Sequence, residues 1–282
     1  MPIGAGRGPA LFALHVAVAL FGFAALFGKW VALSPVAIVL GRTIVAAATL
    51  ALVAWMRRQP FGQPERGLLL NGPLLALHWV SFFAAVQIAS VAIALLGYAS
   101  FPVVVLLLER GRRASRGEYG TALLAALGLA MLAAHFSWSS DGLRGLSLAL
   151  VSAVTFAILV VRNRRLVVER SAVRIAMWQN LAAGACLLPI VAIVDRPAAW
   201  PRFADVALLI VLGIVCTGLA HTLFIASMRR VSAHSASVVA SLEPVYGIAL
   251  AAWLLGQMPD GRTIAGGALI VGAALIASQR AE

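Results

Sequence analysis

Apolar residues along this chain come in runs of 18 to 22, and polar positions gather in short links between them. Each run is long enough to cross a hydrocarbon layer of roughly 30 Å as a helix rising about 1.5 Å per residue. The runs lack the apolar/polar alternation of barrel strands, and a backbone in lipid must satisfy its own N–H and C=O groups, so the spans are predicted as α-helices. Ten are predicted, at 10–28, 35–56, 67–88, 91–108, 118–136, 143–161, 173–194, 204–228, 233–256 and 262–279. The expected fold class is an all-α integral membrane protein without a separate soluble domain. Residues 10–28 fill a whole span, so the first helix is expected to act as its own insertion signal rather than as a cleaved leader.

Composition agrees: 62% of residues are hydrophobic and 11% charged, against about 25% charged in a soluble domain. A net charge of +12 points to nucleic acid only if the basic residues share one water-facing surface. Here they sit in the links. With ten spans, 16 of the 22 Lys and Arg residues fall on the side of the N-terminus and five on the other, and Arg42 lies within the second span. The positive-inside rule then predicts cytoplasmic termini, with the cytoplasmic arginines serving topology and lipid-headgroup contact. Cys186 and Cys216 both fall inside spans, which argues against a disulfide framework or a zinc site, and no metal or cofactor is expected.

The chain resembles itself. At an offset of 142, Phe82, Ala84, Ser90, Ala94, Pro102 and Val103 match Phe224, Ala226, Ser232, Ala236, Pro244 and Val245, and "GTALLAALGLAML" (120–132) echoes "AGGALIVGAALI" (265–276). The repeat unit is five helices, giving domains at 10–136 and 143–279. Five is odd, so the second copy is expected to enter the membrane inverted. Inverted repeats with interrupted helices are a device of secondary transporters, whose halves rock about a site near the midplane. Pro102 and Pro244 mark equivalent depths and are candidate hinges, because proline removes a helical hydrogen bond.

The segment "LGIVCTGLAHTLFIASMRRVSAHSASVVASLEPVYGIALAAWLLGQMPDGRTIAGGALIVGAALI" (212–276) and its counterpart "HWVSFFAAVQIASVAIALLGYASFPVVVLLLERGR" (78–112) resemble the drug/metabolite transporter superfamily, in its ten-helix branch built from two EamA domains. Glu243-Pro244-Val245 matches the family's Glu-Pro-Val, Glu109-Arg110 its Glu-Arg at the end of helix 4, and Gly22, Lys29, Pro35 and Arg42 its usual order across helices 1 and 2. Two departures are Gly256-Gln257, where the family often has Gly-Glu, and Phe101, which leaves Glu243 without an acidic counterpart in the first copy. The resemblance implies helices 1, 3, 4, 6, 8 and 9 around a central cavity, in a bacterial inner (cytoplasmic) membrane. Among members the chain is most similar to bacterial amino-acid exporters of the YddG type.

Ionisable and polar groups inside a span are expensive and mark pathways. Candidate substrate contacts are therefore His78, Trp79, Tyr98, Tyr246, Trp178, Gln179 and His221, with Glu243, Pro244 and Pro102 as coupling or hinge residues. Imidazole, indole and phenol suit an amphiphilic organic solute; each could equally serve packing between helices, and the amides Gln179 and Asn180 read foremost as interhelical glue. His221 reads as a gate, a proton carrier or an interhelical donor. Glu243 is either a proton or cation site or a hydrogen-bonder to the broken turn, and Arg42 is read as a structural anchor.

The chain has no GxxxxGK[ST] motor motif, no HExxH, no paired intramembrane aspartates and no Gly-x-Ser-Gly nucleophile, so enzyme classes are disfavoured. The expectation is a secondary transporter that exports neutral or aromatic amino acids by alternating access. Efflux of lipophilic cations is the runner-up, and a channel or scramblase stands behind it. Expected partners are a small-molecule substrate, membrane lipid and, for coupled exchange, a proton; nucleic acid is not expected. Monomer and homodimer both remain open.

Overall fold

A computed structural model describes residues 7–108, 140–195 and 201–279, with scattered positions between 117 and 131. Glu109-Arg110 and most of the fifth predicted helix lie outside the described residues. Among those described there is no strand. The helices are α1 (Arg7–Trp30), α2 (Pro35–Met56), α3 (Arg66–Leu69), α4 (Asn71–Ile88), α5 (Val91–Tyr98), α6 (Phe101–Leu108), α7 (Asp141–Leu166), α8 (Ala172–Ile190), α9 (Phe203–Gly213), α10 (Ala220–Ser227), α11 (Ala233–Ala240), α12 (Glu243–Leu255) and α13 (Gly261–Gln279). Seven helical segments among the described residues are long and apolar enough to cross a membrane.

Local chemistry sets the boundaries. Ser34, Ser90, Ser140 and Ser171 each accept a hydrogen bond from a backbone N–H three residues on, capping α2, α5, α7 and α8. Pro35 follows the first of these caps, at a position where a missing N–H costs nothing. Gly256 ends α12 in the left-handed region, at φ 66°, which glycine enters without a Cβ clash. Helix α7 continues past the predicted limit of 161 because its polar end, from Arg162 to Arg165, emerges from the apolar zone with its backbone bonds intact.

The spans that carry Pro102 and Pro244 are each broken into half-helices, and the breaks correspond residue for residue. Helix α5 ends at Tyr98 and α6 begins at Phe101; α11 ends at Ala240 and α12 begins at Glu243, with both ends and both starts separated by the 142-residue offset. Neither proline stands in mid-helix. Each is the second residue of a new helix, in the first turn, where no N–H donor is required.

Helix α4 packs against α7 and α8, α2 against α8, and α1 against α12 and α10, around one contiguous apolar core. Large apolar side chains such as Phe12, Leu52, Trp55, Phe203 and Trp253 face outward, as lipid requires. Helices α1 and α12 approach backbone to backbone: a Cβ on Gly22 would lie 2.9 Å from Gly247 N and 3.0 Å from the Glu243 carbonyl.

A candidate transport cavity

Between the half-helices lies a cavity of about 30 Å3, walled by Phe21, Ala24, Arg42, His78, Trp79, Phe82, Tyr98, Phe156, His221 and Glu243. That volume admits a water and not an organic solute. Five of the sequence candidates meet here: His78, Trp79, Tyr98, His221 and Glu243, all buried.

His78 comes from the middle of α4. Its Nδ1 lies 3.1 Å from the Ser152 carbonyl, which can only accept, and 2.8 Å from the Ser152 hydroxyl. That pairing holds the proton on Nδ1 and leaves Nε2 as the lone-pair nitrogen. The imidazole stacks on Phe156 at 4.8 Å and lies 5.5 Å from Tyr98, whose ring stacks on Phe101 at 5.0 Å. Trp79 meets the edge of His221 at 5.7 Å. Two polar atoms at the cavity, His221 Nδ1 and Glu243 Oε2, are buried without a hydrogen-bond partner. An unpartnered buried polar atom costs about 1–3 kcal/mol, so each is a ready contact for a polar solute.

Arg42 stands in the cavity wall as well. Its Nε donates to Thr217 Oγ1 at 2.9 Å, and its guanidinium lies 4.0 Å above the Trp79 ring. Its position inside an apolar span was the available signal; its partner, in the widened turn Ile214–Leu219, carries none in sequence.

The other candidates are elsewhere. Tyr246 is 37% exposed on the outer surface of α12. Trp178 is half-buried and donates from Nε1 to the Phe61 carbonyl at 3.0 Å, bordering an outer groove between α2 and α8. Gln179 donates to Asn163 Oδ1, which also accepts from Asn71 at 3.1 Å, while Asn71 Oδ1 accepts from Arg162. This amide cluster joins α4, α7 and α8 as interhelical glue. Pro102 and Pro244 are both buried beside the two breaks.

Both ends of the bundle are tied. On the face that carries the basic links, Glu65 accepts from Arg170 at 2.6 Å and from Arg174 at 2.9 Å, and Arg229 donates to the Val167 and Arg170 carbonyls. On the opposite face Ser34 donates to Asp195 at 2.6 Å, the Ala32 amide donates to Asp205 at 2.9 Å, and Lys29 donates to the Gln87 carbonyl at 3.1 Å. The hydrogen bond from Arg170 holds the Glu65 carboxyl below its ordinary value of 4.5. A depressed carboxylate stabilises the fold above its ordinary value and loses that contribution as pH falls through the lower folded one. Thermal melts of the wild type are therefore expected to drop on acidification below the ordinary value of 4.5 by an increment that Glu65→Gln lacks; superimposable pH profiles would contradict this.

A family profile described as the EamA-like transporter family matches residues 143–279. An "Uncharacterized transporter" of Archaeoglobus fulgidus is 30% identical over 221 residues, covering 77% of each chain. A protein named "Pseudopaline exporter CntI" from Pseudomonas aeruginosa is 28% identical over 245 residues, 83% of each chain. A solved crystal structure superimposes with a TM-score of 0.77 at 22% identity, covering 98% of this chain and 99% of the other, which supports the fold alone. The chain belongs to the EamA-like transporter family, within the drug/metabolite transporter superfamily.

Proposed function

We propose that the protein is an inner-membrane secondary transporter that exports small organic metabolites, neutral and aromatic amino acids before others, by alternating access. The observation that carries this is the pairing of one fixed cation, Arg42, with one carboxyl, Glu243, in the wall of a single buried cavity lined by aromatic rings. A zwitterion offers a carboxylate to the first and an ammonium to the second, and its side chain finds apolar faces in Phe21, Phe82 and Phe156. The relative named as an exporter supports outward transport. A lipophilic cation, the runner-up substrate, has to enter beside the guanidinium of Arg42, and like-charge contact in a dry site is unfavourable. Ten helices in two inverted repeats, 10–136 and 143–279, with both termini cytoplasmic, complete the proposal; the equivalent breaks and the 16-to-5 distribution of basic residues support it.

The test is counterflow in proteoliposomes with a panel of amino acids, quaternary amines and nucleosides. Neutral and aromatic amino acids are expected to exchange with saturation and trans-stimulation. Glu243→Gln removes the carboxyl that faces the ammonium and is expected to weaken exchange about tenfold or more. His78→Ala, which takes away the ring stacked on Phe156, is expected to reduce it as well. If cationic drugs compete and no amino acid does, the amino-acid reading is wrong and the cation reading replaces it.

A further inference from the structure

The span Phe203–Ser227 carries an irregularity that the transport reading does not use. Between α9 and α10 the helix widens at Ile214–Leu219 into a π-helical turn, with Gly213 just before it and Gly218 within it and no proline in it. Such turns are rare and concentrate at functional sites. The turn is pressed onto α2 at the level of Arg42: a Cβ on Gly213, just before it, would lie 2.5 Å from Val45 Cβ and 3.1 Å from the Arg42 carbonyl. Thr217 lies inside the turn, fully buried. Its hydroxyl donates to the Leu212 carbonyl five residues back, at 2.7 Å, and accepts from Arg42 Nε at 2.9 Å.

A threonine hydroxyl has one proton. Spending it on Leu212 fixes the lone pairs toward Arg42, so Thr217 can only accept from the guanidinium. Engaging Nε leaves the two terminal nitrogens as the donors of the fork, apart from a long 3.5 Å approach of Nη2 to the Cys216 carbonyl. The indole of Trp79, 4.0 Å below Cζ, fixes the plane of that fork. A guanidinium held by its Nε and one face, with its terminal nitrogens bound only by the long Nη2 contact to the Cys216 carbonyl, is set up for two parallel bonds to a planar carboxylate.

We propose that Thr217, held by the widened turn, is a positioning residue that aims Arg42 as a carboxylate-binding fork, and so makes the cavity select solutes by their carboxyl group. This rests on the reading of the cavity as the substrate site. It adds that a residue with no direct solute contact sets carboxylate selectivity.

The experiment separates the two claims. Binding of radiolabelled phenylacetate, a carboxylate without an ammonium, and of phenethylamine, an ammonium without a carboxylate, is measured by scintillation proximity on protein in nanodiscs. Wild type, Thr217→Val and Thr217→Ser are compared, and phenylalanine counterflow is run in parallel. Thr217→Val is expected to weaken phenylacetate about tenfold or more, the worth of one charged hydrogen bond, to leave phenethylamine within about twofold, and to be rescued by Thr217→Ser, which keeps the hydroxyl. If Thr217→Val does not fold, Thr217→Ala removes the hydroxyl without adding a methyl in its place. The proposal is overturned if wild type does not bind phenylacetate, if the hydroxyl-free variant loses both probes equally, or if serine fails to rescue. Selective loss of phenylacetate without any phenylalanine counterflow in wild type sinks the amino-acid transport reading and leaves the role of Thr217 standing.

Discussion

Arg42→Lys is expected to lose amino-acid counterflow almost as completely as Arg42→Ala, by about 100-fold. Lysine keeps the charge, but what the structure uses is shape. The Nε of Arg42 is held by Thr217 and its planar group lies over Trp79; an ammonium has no second donor arm with which to keep one contact while offering two more. A charged hydrogen bond is worth about 1.5–3 kcal/mol, and a desolvated cation–π contact about 2. Without that orientation the fork forfeits one to two charged hydrogen bonds to the solute carboxylate, roughly two decades in binding. The measurement is initial counterflow of phenylalanine in proteoliposomes with equal amounts of inserted protein. A lysine variant working at half the wild-type rate would show that charge alone suffices.

Gly22→Ala and Gly8→Ala, one methyl each on the same helix, are expected to change stability in opposite directions. At Gly8 no described residue lies within 4 Å of the added carbon, and alanine in a helix is better than glycine by up to about 0.5–1 kcal/mol. At Gly22 the same carbon meets Gly247 N at 2.9 Å, the Glu243 carbonyl at 3.0 Å and Tyr246 Cβ at 3.0 Å. Two of these three atoms are backbone and have no rotamer to change, so α1 and α12 must separate. Overpacking of this kind costs about 1–3 kcal/mol, which lowers a melting temperature by roughly 5 to 10 °C at the upper end. Thermal melts in detergent decide it, and equal melting temperatures for the two variants would mean that the helices are not in contact at Gly22. Because the contact joins Gly22 to the helix that starts at Glu243, Gly22→Ala is also expected to depress transport.

The sequence made some of this legible because the signals are local. Membrane spans follow from the length of apolar runs, and the two breaks follow from Pro102 and Pro244 at matching depths. Proline left open whether the turn is kinked or unwound; the chain stops for two residues and restarts, leaving each proline in a first turn. His78, Trp79 and Glu243 are polar or amphipathic groups deep in apolar runs, so the expense of burying them pointed toward the cavity wall. Tyr246 lies two residues after Pro244, which sets its depth in the membrane but not which side of the helix carries its ring. Gln179 and Trp178 carry the same chemistry as cavity residues, yet their partners are Asn163 and the Phe61 carbonyl, and polar character alone could not separate the two uses. The Arg42–Thr217 bond spans 175 residues of sequence. Nothing local announces it, and the only mark of the widened turn that delivers Thr217 is the glycine spacing Gly213 to Gly218, which a glycine-rich membrane helix carries for other reasons as well.

The equivalence of the two breaks has one more consequence. Phe101 and Glu243 occupy the same place in their respective copies, so the pivots share a geometry and differ in solvation. Motion at one pivot brings water to a phenyl ring, which water disfavours; motion at the other brings water to a carboxyl group, which water favours. In the proposed alternating-access cycle, the two open states built on these pivots are therefore expected to be unequal in free energy. Such a carrier would have a preferred side on which to wait, and a single substitution such as Phe101→Glu or Glu243→Phe is expected to redistribute its waiting time between the two sides without altering its architecture.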